Sequence, residues 1–375
     1  MNVASLSLRA FRNYRRLDLD FATGVHLFVG ANGQGKTNLL EAVYLLSAGS
    51  SFRAMRPECL VQHGESLAEV TAMVSEQGQD TQLAFRFGRG LRAARVDETP
   101  CRRLSDFVGH LSCVIFSAED LALISGPPAL RRRFLDRIIF GLHSEYLGIA
   151  RGFSQVLRQR NALLRKLSTT TSPSAESEAF LDAWDEPYIA AAVRVLALRW
   201  EVFARLADAV CALHEQISGD VDSLRLSYRA SAGAASSAPT EDALRGSLET
   251  ALRRRRAEEK SRGATLVGPH RDDLAIVLAG REAASHASRG QIKGIVLALK
   301  LAEMELYRRY HDRRPVLLVD DVAAEFDRTR SERLFELMAW ADQAFVTATS
   351  DEVVPRIGAR YQVYHVESGS VERRA

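Results

Sequence analysis

The sequence predicts an α/β fold assembled from both ends of the chain and interrupted by a mainly helical second domain. Three observations carry that prediction. A short apolar run, Val25-His-Leu-Phe-Val29, leads into Gly30-Ala-Asn-Gly-Gln-Gly-Lys36-Thr37 and then into TNLLEAVYLLS, whose apolar residues fall at helical spacing. A second apolar strand, Val316-Leu-Leu-Val319, ends in Asp320-Asp321 about 280 residues later, whereas a compact α/β layer joins successive elements by short loops. Between the two, from Leu130 to about residue 220, the apolar period is that of helices. The expected division is 1–129 with 262–375 as one lobe and 130–261 as the insertion.

The bulk properties agree. At 375 residues the chain is long enough for about two domains, and 46% hydrophobic with 26% charged residues excludes disordered, collagenous and mucin-like classes. No apolar run reaches the roughly 18 residues of a membrane span, and MNVASLSLRAFRNYRR lacks the apolar stretch of a secretory signal, so the cytosol is the expected compartment. Lys+Arg 50 against Asp+Glu 47 leaves almost no net charge, so affinity for nucleic acid has to come from local concentration of positive charge. Cys59, Cys101, Cys113 and Cys211 are too few and too far apart for a disulfide scaffold or a CxxC pair; they are expected reduced, in or near the core.

Taken in order, Val3, Leu6 and Leu8, then Leu17-Asp-Leu-Asp-Phe21, alternate like paired strands before Gly24 turns the chain. LAEVTAMV, TQLAFRF and LRAARV, between about 67 and 96, alternate likewise and are separated by turn residues, the pattern of an antiparallel meander. From Leu130, Phe134, Ile138, Leu142, Tyr146, Ile149, Phe153 and Val156 fall on one helical face. STTTSPSAES, 168 to 177, is a polar break. A second long helix is expected from about Pro187 to Ile217, making an antiparallel pair, and a further helix carries Arg253-Arg-Arg-Arg256. Strands are expected again at 265–278, 315–321 and 344–349. There is no internal repeat.

Residues 30 to 37 match G-x-x-x-x-G-K-[ST] in full, between a strand and a helix. In such a loop the backbone of Gly30, Ala31, Asn32, Gly33, Gln34 and Gly35 wraps phosphate, with the helix N-terminus adding partial positive charge. Lys36 reaches the β- and γ-phosphates as a point charge, and Thr37 places its hydroxyl on magnesium. An aspartate closing a buried strand is where such folds hold magnesium, so Asp320 is the second metal candidate. Asp321 is placed to orient or deprotonate an attacking water. The plainer readings are a glycine turn and a strand ending in a solvated acidic turn.

Ser288-Arg-Gly290-Gln291, before the apolar helix IKGIVLALKLAEMEL and shortly before VLLVDD, resembles the signature motif of ABC-type ATPases, in particular their DNA-repair and chromosome-maintenance branch; alone, it has the alternative of being only a helix cap. FRNY at 11 to 14, GANGQGKTNLLEA at 30 to 42, RRRFLD at 131 to 136, LRQRNALLR at 157 to 165, TLVGPHRDDL at 265 to 274, ASRGQ at 287 to 291 and DDVAAEFD at 320 to 327 extend the match. Over essentially its full length the chain resembles the RecF family of bacterial recombination mediators, an ABC-type, SMC-like group.

That resemblance implies an ABC-type P-loop ATPase head, a mixed sheet with an antiparallel meander, carrying an inserted helical lobe. It implies binding of ATP and Mg2+, ATP-dependent homodimerisation, and binding to single-stranded and gapped double-stranded DNA. It further implies action with RecR and RecO to promote RecA loading in repair and replication-fork maintenance, slow DNA-stimulated hydrolysis, and a cytoplasmic, nucleoid-associated location. Carried over by position, Ser288, Gly290 and Gln291 touch the γ-phosphate of the ATP held by the other protomer, and Arg12 and Asn13 reach the nucleotide of their own. Three departures stand out: Asp321 where many ABC proteins have glutamate, Ala324 where the family often has serine, and Val346-Thr347-Ala348-Thr349 where many place a switch histidine. Thr347 or Thr349 fills that last role, or is a plain strand threonine.

Residues 131 to 167 hold nine Lys/Arg against Asp136 and Glu145, a basic segment suited to salt-sensitive, sequence-independent contact with phosphates. Arg131, Arg132, Arg158, Arg160 and Arg165 are its DNA-binding candidates, against the alternative of a solvated helix face. His270 has no second histidine at ligand spacing and reads as a turn or interface residue. Two other functional classes compete with the repair ATPase: a P-loop enzyme that phosphorylates a small substrate, and a structural DNA-binding protein with ATP as a dimer ligand only.

Overall fold

The computed structural model describes all residues except 54–55, 170–174, 219–222, 234–238, 322–340, 351–360 and 375. The chain begins with β1 (Asn2–Phe11), β2 (Tyr14–Asp20), β3 (Gly24–Val29) and α1 (Lys36–Ala48), followed by β4 (Leu67–Glu76), β5 (Gln79–Gly88), β6 (Leu91–Val96), β7 (Thr99–Pro100) and β8 (Cys113–Ser117). A mainly helical stretch follows: α2 (Ala122–Ser125), α3 (Pro128–Leu142), α4 (Tyr146–Ser168), α5 (Ala175–Ser218), β9 (Leu224–Arg229), α6 (Glu241–Arg262), β10 (Asp273–Leu278), β11 (Arg281–Glu282) and α7 (Ala283–His286). Then come α8 (Arg289–His311), β12 (Val316–Asp320), β13 (Gln343–Ala348), β14 (Tyr361–Glu367) and β15 (Ser370–Arg373). Among the described residues no helix is long and apolar enough to cross a membrane.

Two compact units result, Met1–Leu121 with Lys293–Ala375, and Ala122–Ile292. The boundary expected at 261/262 falls at 292/293, β10 being held with the helices by pairing along its whole length with β9, in register Asp273↔Arg229 to Leu278↔Leu224; the one expected at 129/130 falls at 121/122. The strand expected over 265–278 is correspondingly short, and β9, LRLSYR, is an element that the sequence pattern alone does not single out.

The first unit has two six-stranded sheets. One, in order β2-β1-β4-β5-β6-β7, is the expected antiparallel meander. The other, β15-β14-β3-β13-β12-β8, is parallel except for β15. Its central strands read as nearly unbroken apolar runs because a parallel strand is covered on both faces. Helix α1 contacts strands of both sheets, which explains why Leu39, Leu40, Val43, Leu45 and Leu46 are all buried instead of forming one stripe. Gly49, in the left-handed region, ends it, its N–H returning to the Leu45 carbonyl at 2.8 Å. Of the cysteines only Cys113 lies in the core, where burial pushes its thiol up to about 12; Cys59 is exposed.

In the second unit α4, α5 and α6 pack on one another, while α3 and α4 are separate helices broken at His143. Helix α5 starts before the expected Pro187 and carries that proline inside. Packing of the neighbouring Tyr188, fully buried with its hydroxyl donating to the Val267 carbonyl, opposes the cost of the helix bond the proline removes.

Arg160 overturns its own assignment as a DNA contact. Its side chain is 0% exposed, donating to Asp185 on α5 at 2.9 Å, Glu259 on α6 at 2.7 Å and Thr265 at 2.8 Å. It therefore pins three helices from within. Arg131 does the same for α3 and β10, bidentate on Asp273 at 2.8 and 2.9 Å, and Arg132 donates to the Asp272 carbonyl at 2.7 Å. Arg158 and Arg165 stand exposed. His270 is a half-buried turn residue: Nε2 lies 3.1 Å from the Thr265 carbonyl, its ring packs beside Phe153, and the enclosed Nδ1 has no partner among the described residues. Burial, opposed by the Thr265 hydrogen bond, lowers it from 6.5 to about 4.

These groups set two expectations for stability. Arg160→Ala, which leaves Glu259 buried without its partner, is expected to lower the urea unfolding free energy by about 3–5 kcal/mol, against less than about 0.5 kcal/mol for Arg158→Ala. His270 is neutral in folded and unfolded chains above about pH 6.5. As pH falls below that value the unfolded chain takes up the proton first, so the stability this group contributes is lost down to about pH 4 and totals about 3 kcal/mol. Unfolding curves from pH 7 to 4 should show that loss in the wild type and a shallower slope in His270→Phe.

Candidate functional site

The phosphate loop leaves β3 at Gly30, whose N–H reaches the Ala348 carbonyl of the adjacent β13 at 3.3 Å. A Cβ at Gly30 would lie 2.3 Å from the Val366 carbonyl oxygen, and one at Gly35, where φ is +116°, would lie 2.4 Å from Asn13 Nδ2. Both glycines are thus required by close approach of their neighbours. Ala31, Asn32 and Gly33 are exposed, whereas Gln34 is half-buried and Lys36 is buried. The loop presents its first half outward and is held by its second.

Lys36 Nζ donates to the Gly30 and Ala31 carbonyls at 2.7 and 2.9 Å, folding the ammonium back under the loop. Burial lowers its pKa, and the charges of Asp321 and Asp320 oppose that shift. The adjacent Thr37 hydroxyl donates to Asp320 Oδ1 at 2.7 Å. Asp320 and Thr37 are hard oxygen donors brought side by side. That donor set fits magnesium, which is usually held by one or two carboxylates together with substrate phosphates.

Thr347 explains how the acidic pair is held. It is fully buried on β13, donates to Asp320 Oδ1 at 2.9 Å and accepts from the Asp321 N–H at 2.9 Å. Asp321, a bend directly after the strand, has φ +51°. Thr347 is thus bound to both aspartates, while Thr349 is exposed. Ala324 lies outside the described residues.

The FRNY turn packs on the other side of the loop. Arg12, at φ +53°, forks onto Glu41 of α1 at 2.8 and 2.9 Å and donates to the Cys59 carbonyl at 2.9 Å. Asn13 Nδ2 donates to the Gln34 carbonyl at 2.9 Å, its Oδ1 accepts from Asn38 at 2.8 Å, and the Tyr14 hydroxyl donates to the Gly35 carbonyl at 3.0 Å. Glu41 is a site residue to which the sequence motifs assign no role, although a signal is present: it is the one charge in TNLLEAVYLL, and a buried carboxylate on an apolar helix needs a cation.

Ser288, Gly290 and Gln291 lie in the second unit at the start of α8. Ser288 Oγ accepts the Gln291 N–H at 3.2 Å and Gln291 Oε1 accepts the Ser288 N–H at 2.8 Å, a reciprocal capping box. Ser288 and Arg289 are exposed, so the helix offers its positive end outward, where anions bind.

Comparison with known proteins gives a consistent result. The family model described as RecF/RecN/SMC N terminal domain matches residues 2–372. The chain is 40% identical over 383 residues to the DNA replication and repair protein RecF of Heliobacterium modesticaldum, covering 100% of this chain and 99% of that protein. It is 37% identical to the protein of the same name from Kineococcus radiotolerans, with 100% of each covered. Among solved structures, that of the recombination mediator protein RecF-ATP in the RecFOR pathway superposes with a TM-score of 0.90 at 28% identity, covering 100% of this chain and 97% of that one. The Smc head domain of Pyrococcus furiosus, at TM-score 0.54 and 16% identity over 99% and 95% of the two chains, shares the fold.

Proposed function

The chain belongs to the RecF family of DNA replication and repair proteins, and on that premise we propose that it is an ATP-operated recombination mediator with weak ATPase activity. The observation that carries this reading is the Thr37–Asp320 contact at 2.7 Å, which sets both magnesium-holding groups beside Lys36. Gly30, Ala31, Asn32, Gly33, Gln34 and Gly35 would cradle the β-phosphate through backbone N–H groups, and Lys36 would turn from the loop carbonyls to the β- and γ-phosphates. Arg12 and Asn13 would support the nucleotide from the FRNY turn. Magnesium, when bound by Thr37 and Asp320, supplies neutralisation of the phosphate charge. Asp321, its main chain fixed by Thr347, would accept the proton of the attacking water.

The second half of the site comes from another copy of the chain. Ser288, Gly290 and Gln291, at the outward end of α8, would receive the γ-phosphate of ATP bound in the partner protomer. A γ-phosphate gripped by two subunits joins them only until hydrolysis releases it, so nucleotide state sets assembly state. The DNA surface is the exposed face of α4: Arg151, Arg158 and Arg165 recur every seven residues, which on a helix is a row with steps of about 10.5 Å. Such a row neutralises phosphates without reading bases, as binding to single-stranded and gapped double-stranded DNA requires. Likeness to the RecF structures of the RecFOR pathway supports RecR and RecO as partners, with RecA loading as the outcome.

Light scattering with ATP-Mg and with ADP-Mg at moderate salt tests the clamp. The expected result is a dimer with ATP alone, and an ATP-binding monomer for Ser288→Arg; a wild-type monomer in both states, with DNA present, overturns it. Steady-state hydrolysis by Asp321→Asn is expected to fall about 100-fold or more, whereas unchanged turnover would reduce ATP to a dimer ligand.

A further inference from the structure

The β14–β15 turn grips the phosphate loop at one residue. Gln34 Oε1 accepts the Ser368 N–H at 2.7 Å and the Ser368 hydroxyl at 3.3 Å, and the Gln34 carbonyl accepts the Gly369 N–H at 3.2 Å. The same carbonyl accepts Asn13 Nδ2 at 2.9 Å. Four hydrogen bonds therefore converge on a loop residue whose side chain the P-loop motif leaves unspecified. Three of them come from a hairpin whose Ser368 lies 334 positions away in sequence.

The fit is tight on both sides. Ser368 and Gly369 have φ of +47° and +80°, so the turn adopts a conformation that costs a non-glycine residue and is retained where its groups are engaged. A Cβ on Gly369 would lie 2.4 Å from the Asn13 carbonyl oxygen, and the Gly30 approach to the Val366 carbonyl places the strand before the turn against the start of the loop. Meanwhile Ala31, Asn32 and Gly33, the part that must meet phosphate, have exposed side chains or none. A glycine-rich loop has many conformations to lose on binding, and whatever holds it in one of them lowers that loss.

We propose that Gln34 and the Ser368–Gly369 turn form a strap that preorganises the phosphate loop, so that the β14–β15 hairpin belongs to the ATP site although it carries no phosphate ligand. Gln34's side chain acts as a positioning group through the turn. This rests on the ATP-binding reading above and deepens it. It also accounts for glutamine at 34, because a shorter side chain would not span to Ser368 and an apolar one would leave the Ser368 N–H without its acceptor.

The test is a mutant cycle on the full-length chain with ATP-Mg as the probe. Gln34→Met keeps the side-chain length and removes the acceptor; Gly369→Ala forces the turn off Asn13. Each is expected to raise the KM for ATP about 5-fold, the weight of roughly one net hydrogen bond, and by more than it lowers kcat. The double variant should match the stronger single one, since both break the same strap. Thermal unfolding without nucleotide provides the control for general destabilisation. Wild-type affinity in Gln34→Met, or additive effects in the double variant, overturns the strap. If Gln34→Met does not fold, Gly369→Ala decides alone by its KM-against-kcat split. A wild-type chain that fails to bind ATP at all refutes the ATP-binding reading itself, a different outcome from normal wild-type binding with silent variants.

Discussion

The Thr37–Asp320 hydrogen bond joins residues 283 positions apart, and the rest of the site is arranged around the register that makes it. In the parallel sheet β13 lies between β3 and β12, with Thr347 beside Asp320 on one side and beside Phe28 on the other. A slip of one residue in either ladder would turn the side chain at 347 or 320 to the opposite face. That register is secured by apolar cover: Val316 to Val319 and Ala344 to Val346 are 0–1% exposed, so any shift would exchange whole rows of buried side chains. The Thr37–Asp320 contact is thus specified by sheet packing, and the buried Thr347 translates packing into carboxylate position.

What was legible in the sequence was what is local. The phosphate loop, its strand and helix, the meander and the acidic strand end were all readable, because each is defined by neighbouring residues and a short period. The partners of Gln34 and Thr347 were not, because Ser368, Asp320 and Asp321 are brought to them by sheet order alone. Helix α5 runs on through Pro187, where the buried packing of Tyr188 offsets the local cost of a proline inside a helix. The stretch LRLSYR is short and its partner β10 lies beyond a whole helix, so only the pairing marks it as a strand, and that pairing keeps β10 with the helical unit.

The arginines of the insertion show why a charge count overstates a binding surface. Of the candidates, Arg131, Arg132 and Arg160 face inward to carboxylates or carbonyls, and Arg199 likewise ties α5 to Asp136 of α3 at 2.8 Å. Guanidinium suits this use, since it forms several directed bonds at once and stays charged when enclosed. The helical unit is held by cations as well as by apolar packing, and of the five candidates only Arg158 and Arg165, both on α4, stand exposed. A short row of that kind would suffice for the proposed sequence-independent contact, because counterion release depends on how many phosphates are neutralised.

The same geometry offers a reason for aspartate at 321. The residue sits at φ +51°, a region several-fold enriched in Asn and Asp relative to other side chains. Its N–H is tied to Thr347, which fixes that conformation. A glutamate would reach farther toward a bound phosphate but would have to adopt a backbone state it rarely occupies. The strand end therefore favours a short carboxylate held in place over a long one free to search. In the proposed clamp, slow turnover would prolong the assembly, because a γ-phosphate held by two subunits would join them until hydrolysis.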